Sequence, residues 1–190
     1  MQTDLRLFQL ISPSLPIGGF TYSQGLEWAV EFGWIQSSEQ FQAWLESQLD
    51  NALVSLELPM LRYLMLAINQ GDWDQLDKLS RELIAWRETK EFRLEEIQRG
   101  KALARLLPEL DIHIPDEAQA ALQRSQLAGM ALAAVQWGIP ADKLALGYLW
   151  SWLENSVMAG VKLIPLGQTQ GQQLLAMMAP TLVASVERSA

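Results

Sequence analysis

Apolar side chains recur every three or four residues along nearly the whole sequence. Leu61, Leu64, Met65 and Ile68 follow this spacing, and so do the apolar residues between positions 41 and 56. This period places the apolar positions on one face of an α-helix, whereas a half-buried strand alternates with a period of two. No segment alternates with a period of two for more than about four residues. The sequence therefore predicts an all-α fold.

Capping residues, glycines and prolines divide this pattern into separate helices. Ser37 and Asp72 are predicted N-caps, because a short side-chain oxygen can accept a hydrogen bond from an unpaired amide of the first turn. Gly71 is a predicted helix end, since glycine tolerates the left-handed conformation found there. Pro59 is expected in the first turn of a new helix, where its missing N–H is not needed. Pro180 is expected to interrupt the last helix.

The composition suits one packed domain and excludes several classes of function. Apolar residues make up 49% of the chain and charged residues 19%, which is enough material for a core. A net charge of −8 argues against a nucleic-acid binder. The sequence has no cysteine and a single histidine, His113, which excludes thiolate chemistry and a multi-histidine metal site within one chain. We expect one compact multi-helix domain, residues 1–190, with roughly eight to ten helices.

Neither a signal peptide nor a membrane span is predicted. Residues 1–10 contain Asp4 and Arg6 and lack the apolar core of a signal peptide. No run of about 18 apolar residues is present. The acidic balance also argues against binding to anionic lipid. We therefore expect a cytoplasmic protein without a membrane partner.

Catalytic motifs are missing from the sequence. It contains no phosphate-binding loop, no dinucleotide-binding glycine pattern and no nucleophile elbow. His113 lies in a connector next to prolines, and we expect it to be an ordinary loop histidine. No catalytic residue, metal site or cofactor is predicted.

Charged residues of both signs cluster between Arg87 and Arg99, in a stretch expected to be helical through to Pro108. The spacing predicts ion pairs from Arg87 to Glu91 and from Glu95 to Arg99. A solvated, salt-bridged helix face is the first interpretation, and a charged face that binds a partner is the alternative.

Two proline- and glycine-bearing loops stand out from the helices. The first, residues 14–25, reads SLPIGGFTYSQG, and the second, residues 162–172, reads KLIPLGQTQGQ. Each is either a rigid turn between helices or a loop of defined shape that offers side chains to a partner. Trp34, just after Gly33, is either a core residue or a contact residue.

At these loops the sequence resembles the urease accessory protein F family. The resemblance rests on four blocks that occur in order over most of the chain. They are residues 12–30 (SPSLPIGGFTYSQGLEWAV), 87–91 (RETKE) with Arg93 and Gly100, 125–130 (SQLAGM), and 157–168 (VMAGVKLIPLGQ) with Gly171 and Gln172. Family members continue past the position at which this sequence ends, with a tail that helps to dock other accessory proteins. The resemblance therefore predicts the family's helical domain without that tail.

The resemblance implies an adaptor without chemistry of its own. Proteins of this family form a dimer and bind accessory protein D (also called H) and the GTPase accessory protein G. The assembly then acts on the urease apoprotein, so that nickel is inserted in a GTP-dependent step.

The family resemblance also implies that three regions contact partners. In the first loop the contact residues are Phe20, Tyr22, Ser23, Gln24 and Glu27, on a backbone fixed by Pro16, Gly18, Gly19 and Gly25. In the second they are Lys162, Pro165, Leu166 and Gln168, directed toward the GTPase or the dimer interface, with Gly167 and Gly171 as structural glycines. The third region is the charged segment, with Arg87, Glu88 and Arg93, which either holds the fold together or binds a partner.

Two other functions remain open at the level of sequence. One is a helical enzyme that uses a buried carboxylate, with a deep polar pocket around Glu27, Glu88 or Glu154. The other is a helical ligand-binding regulatory domain that is unrelated to urease.

Overall fold

The computed structural model describes residues 1–18 and 25–189, and this part of the chain is helical with no strand. The predicted all-α fold is confirmed. The helices are α1 Gln2–Ile11, α2 Leu26–Glu31, α3 Ser38–Gln48, α4 Leu58–Gln70, α5 Trp73–Trp86, α6 Lys90–Leu106, α7 Gln119–Arg124, α8 Gln126–Trp137, α9 Ala141–Leu163 and α10 Gln168–Arg188. A π-helical segment, Leu49–Glu57, joins α3 to α4, and 3₁₀ turns occupy Leu107–Leu110 and Asp116–Ala118.

Helix α8 forms the centre of the domain, because its first nine residues are all buried. Helices α4 and α6 pack against it, and α9 packs against α1 and α10. Small residues allow the close approach of α6 and α8. A Cβ atom added to Gly100 would lie 2.8 Å from the Ser125 backbone nitrogen, and one added to Gly129 would lie 2.8 Å from Leu103 Cδ2. These glycines set the spacing of the core helices.

The predicted caps are confirmed. Ser37 Oγ accepts a hydrogen bond from the amide of Gln40 at 3.3 Å, and Asp72 Oδ1 accepts one from the amide of Gln75 at 2.9 Å. Gly71 ends α4 in the left-handed region, with φ of 68°. Local sequence therefore determines these three helix ends.

The charged stretch is not one continuous helix, which corrects the sequence expectation. Helix α5 ends at Trp86, and Arg87 has extended backbone angles, φ −69° and ψ 113°. Thr89 then caps α6, because its Oγ1 accepts a hydrogen bond from the amide of Phe92 at 3.1 Å. The break lets the Arg87 side chain turn into the protein.

The structure corrects the expectation for Pro180 and confirms the one for Pro59. Pro180 lies inside α10, which continues to Arg188. Its ring is on the exposed side, while Met178 and Leu182 on either side are buried, and their packing keeps the helix together. Pro59 lies in the first turn of α4, as expected, although α3, the π-helical segment and α4 continue one another as a single helical stretch, 38–70.

The continuous helix 38–70 is long enough to span a membrane, although it contains no run of about 18 apolar residues. It holds an 18-residue window of mean hydropathy 1.3, so it could cross a membrane by length and composition alone. Half of that window is buried inside the domain. A core helix of a soluble protein has the same character.

Candidate functional site

A cleft of about 600 Å³ lies between the π-helical segment, the start of α6 and the middle of α9. Aromatic and ionised side chains share its walls. Its lining comprises Gln48, Asn51, Ala52, Leu53, Ser55, Leu56, Glu57, Trp86, Arg87, Glu88, Phe92, Glu95, Glu96, Arg99, Tyr148 and Trp152. The π-helical segment forms one wall of this cleft, and π-helical turns are rare and often occur at functional sites.

Arg87 is the centre of a buried ion-pair network in this cleft. Its guanidinium pairs with Glu57, and Nη2 lies 2.7 Å from Glu96 Oε2. The Tyr148 hydroxyl donates a hydrogen bond to the second carboxylate oxygen of Glu57. Glu96 Oε1 accepts hydrogen bonds from Ser125 Oγ and from the Gln126 amide, each at 2.9 Å. The network therefore ties the π-helical segment, α6, the start of α8 and α9 to one another.

The pKa values in this network follow from burial and charge. Burial alone would lower the pKa of Arg87, but the Glu57 and Glu96 carboxylates outweigh it and hold that pKa above its ordinary value. Burial alone would raise the pKa of Glu96, yet Arg87, then Arg99, keep it below its ordinary value. Burial and the Glu57 charge raise the pKa of Tyr148, so its hydroxyl stays a donor. Arg87 and Glu96 are thus ionised and already committed to partners within the chain.

This network corrects the expected solvated charged face. Arg87 pairs with Glu57 and Glu96 and not with Glu91, and Glu95 and Glu96 are buried. The Glu95–Arg99 pair is confirmed, with 3.1 Å between Glu95 Oε1 and Arg99 Nη1.

Sequence reasoning missed Glu57 and Tyr148 as members of the network. The signal available for Glu57 was a carboxylate between Leu56 and Leu58 in an apolar run, since buried carboxylates are rarely left unpaired. Nothing local in the sequence marks Tyr148.

The other two residues expected in the charged region have different positions. Arg93 is exposed, and its Nε donates a hydrogen bond to the Arg87 carbonyl oxygen at 2.9 Å. Glu88 is exposed at the rim of the cleft. The cleft lining includes neither Glu27 nor Glu154, the other centres considered for a carboxylate enzyme. Within the described residues, no three His, Cys, Asp or Glu side chains are grouped so that they could hold a metal ion.

The first loop is described only at its two ends. Pro16 is exposed, Gly18 and Gly25 have φ of 75° and 89°, and Glu27 is exposed on α2. At Gly18 and Gly25 the predicted need for glycine is confirmed by these left-handed angles. The expectations for Gly19, Phe20, Tyr22, Ser23 and Gln24 fall outside the described residues.

The second loop is shorter than the sequence predicts, because Lys162 lies in the last turn of α9 and Gln168 begins α10. Lys162, Pro165 and Gln168 are exposed, whereas Leu166 is buried in the core and offers no side-chain surface in this chain.

Gly171 is needed for packing, because a Cβ atom there would lie 2.9 Å from Val161 Cγ2. Gly167 has φ of −71° and an uncrowded Cβ position, so its backbone suits any residue. Its role as a structural glycine is therefore not required by its conformation.

Comparison with known proteins gives one consistent relationship. The sequence profile of the UreF family matches residues 35–179. The chain is 48% identical to the urease accessory protein UreF of Alcanivorax borkumensis, over 97% of this chain and 83% of that protein. It is 53% identical to the protein of the same name from a Pseudomonas putida strain, over 90% of this chain and 76% of that protein. The corresponding Escherichia coli protein is 44% identical, over 96% of this chain and 82% of its own length.

Proposed function

Because this chain belongs to the UreF family of urease accessory proteins, we propose that it is a non-catalytic adaptor in urease maturation. It binds accessory protein D (H) and the GTPase accessory protein G, and it acts in the cytoplasm on the urease apoprotein. The assembly inserts nickel in a GTP-dependent step, and this chain regulates the GTPase. Nickel is the cargo of that step and not a resident cofactor. The observation that carries the proposal is the 44–53% identity to named UreF proteins over at least 90% of the chain.

The buried network supports an adaptor role. Arg87 pairs with both Glu57 and Glu96 inside the domain, and Tyr148 and Ser125 donate hydrogen bonds to further carboxylate oxygens. Groups held in this way stiffen the body on which contact loops are mounted. They are not free to accept a proton from a substrate or to attack one.

The proposed GTPase contact uses both loops. From the first loop it takes Phe20, Tyr22, Ser23, Gln24 and Glu27. From the second it takes Lys162, Pro165 and Gln168, all of them exposed. Glu88 and Arg93 on the charged segment are exposed and remain proposed contacts, while Arg87 acts from inside by fixing the segment that carries them.

The proposed dimer uses the outer face of α1. Leu5 and Phe8 lie one turn apart on this helix and are 66% and 61% exposed. Their neighbour Asp4 is paired with Lys143 at 2.6 Å, so this face carries little uncompensated charge. A neutral apolar face suits a two-fold contact between identical chains.

The test is to co-express the chain with accessory proteins D (H) and G and the urease apoprotein, and to measure complex formation and urease activation. A Tyr22→Ala/Lys162→Ala variant is expected to lose GTPase binding and activation while helicity stays the same. Tyr63→Ala/Lys101→Ala removes the same two residue types from exposed positions outside the proposed contact and is expected to behave as wild type. Wild-type levels of binding and activation in the first variant would contradict the proposed contact.

A further inference from the structure

Three aromatic side chains form a continuous exposed patch on and just after α2. Trp28, Phe32 and Trp34 are 46%, 62% and 63% exposed. The Trp28 and Phe32 rings stack with 4.2 Å between centroids, and the Trp34 ring meets Trp28 edge-on at 4.6 Å. We call these three residues the aromatic patch. Single exposed aromatic side chains are common, but a contiguous group of this size is typical of an interaction surface.

The backbone holds the patch in place. The Gly33 amide donates a hydrogen bond to the Val30 carbonyl at 3.0 Å, and the Trp34 amide donates one to the Ala29 carbonyl at 2.8 Å. Gly33 has φ of 75°, so the chain reverses after α2 and brings Trp34 back to Trp28. Ile35 is then buried in the core and anchors the turn. The rings are thus arranged before any partner binds, which reduces the entropy lost on binding.

The charge around the patch is negative. Glu27 and Glu31 lie one turn apart on α2, next to Trp28 and Phe32, and both are exposed. No lysine, arginine or histidine occurs between Arg6 and Arg62 in the sequence. That interval contains six acidic residues, namely Glu27, Glu31, Glu39, Glu46, Asp50 and Glu57. The patch therefore lies in an acidic part of the chain and has no cation of its own nearby in sequence.

These features favour an arginine side chain from another protein. A guanidinium group stacks on the face of tryptophan and pairs with carboxylates in a planar geometry, and it is less strongly hydrated than the ammonium group of lysine. A second copy of this chain is a poor partner, because a two-fold contact through the patch would bring Glu27 and Glu31 of both copies together.

We propose that the aromatic patch, with Glu27 and Glu31, is a docking surface for an arginine-bearing segment of a partner protein. Which protein this is rests on the proposed function, since the candidates are the other members of the urease-maturation assembly. The surface itself rests only on the geometry and charge of α2 and its C-terminal turn.

The first experiment measures the affinity of the full chain for each of three purified partners: accessory protein D (H), GTPase accessory protein G and urease apoprotein. Trp28→Ala/Phe32→Ala is expected to weaken one of these complexes by about tenfold or more. Glu27→Gln/Glu31→Gln is expected to weaken the same complex by about threefold or more and to reduce its salt dependence. Circular dichroism checks that each variant is folded, and Phe32→Ala alone serves if the double variant is not.

Matched controls remove the same chemistry elsewhere. Tyr63→Ala deletes an exposed aromatic side chain, and Glu109→Gln/Glu117→Gln neutralises two exposed carboxylates. Both are expected to stay within about twofold of wild type. Loss of affinity in the controls equal to that in the patch variants, or no loss in the patch variants, would overturn the proposal.

The second experiment does not depend on the maturation proteins. A short arginine-rich peptide is titrated into the full chain while the indole N–H resonances of the tryptophans are followed by NMR. The Trp28 and Trp34 signals are expected to shift, more than with a lysine-rich peptide of the same length, while the Trp86 signal does not. Equal shifts at Trp86, or none at Trp28 and Trp34, would refute the docking surface. If this titration succeeds and none of the three proteins binds wild-type chain, the proposed function fails and the docking surface stands.

Discussion

Among single residues, Arg87 is important because it is the shared ion-pair partner of two buried carboxylates. Replacing it by methionine fills a similar volume but leaves Glu57 and Glu96 without their cation. Removal of one partner from a buried ion pair costs about 3–5 kcal/mol, since the remaining charge is left without compensation. We expect Arg87→Met to lower the free energy of unfolding in urea by that amount.

Arg81→Met is the control for the loss of an arginine. Arg81 is exposed and pairs with Asp77 four residues earlier on α5, and such surface pairs contribute about 0.5 kcal/mol. An equal loss of stability in the two variants would mean that the buried network has no special role.

Glu96 gives a pH dependence with a defined sign. Its folded-state pKa lies below the ordinary value of 4.5, so it stabilises the fold above that pH and loses this contribution as the pH falls. Glu96→Gln removes the charge and with it this dependence. The difference in unfolding free energy between wild type and Glu96→Gln is expected to be largest near neutral pH and to shrink below pH 4.5. Urea unfolding at a series of pH values measures it, and a constant difference throughout would refute the assignment.

Between helices, the decisive feature is the contact of α6 with the start of α8. An alanine at position 100 would place its Cβ atom 2.8 Å from the Ser125 nitrogen and 2.9 Å from the Leu122 carbonyl oxygen. Both are backbone atoms and cannot rotate away, so the two helices must separate. We expect Gly100→Ala to lower the free energy of unfolding by about 1–3 kcal/mol or more.

Gly167→Ala is the matched control. It makes the same change at a position with φ of −71°, where the nearest heavy atom, Gln170 Oε1, would be 3.7 Å from the new Cβ atom. The weaker N-cap preference of alanine and the lower entropy of its unfolded chain nearly cancel, so we expect stability within about 0.5 kcal/mol of wild type. A similar loss at both positions would show that crowding is not the cause at Gly100.

The helix caps and the Arg87 network show how much of this structure could be predicted from the sequence. Caps such as Ser37 and Asp72 depend on interactions three residues away, so local sequence is enough to predict them. The Arg87 network joins residues 30 positions apart, Arg87 and Glu57, and 91 positions apart, Glu57 and Tyr148. Local spacing instead paired Arg87 with Glu91, because the same charges are compatible with a simple helix face. The tertiary partners, and with them the cleft, become visible only when the helices are assembled.

At the scale of the whole molecule, two exposed apolar surfaces differ in the charge around them. The aromatic patch on α2 carries Glu27 and Glu31 and suits a different, basic partner. The outer face of α1 carries Leu5 and Phe8, and the neighbouring Asp4 is paired with Lys143. The sequence predicted contact loops from family resemblance, but exposure of these two faces follows from how the helices pack.

The dimer prediction follows from the exposed apolar face of α1, whose neighbouring carboxylate is already paired. Leu5→Glu/Phe8→Glu places two negative charges on the proposed two-fold contact, where each copy would meet the same charges on the other. Wild-type chain is expected to run at twice the monomer mass of 21.4 kDa in size-exclusion chromatography with light scattering, and this variant at the monomer mass. Tyr63→Glu/Leu66→Glu is the control, because these residues are also exposed and lie three positions apart on α4. A dimer that survives the α1 substitutions but dissociates with the α4 substitutions would move the interface to α4, and a wild-type monomer at micromolar concentration would remove it altogether.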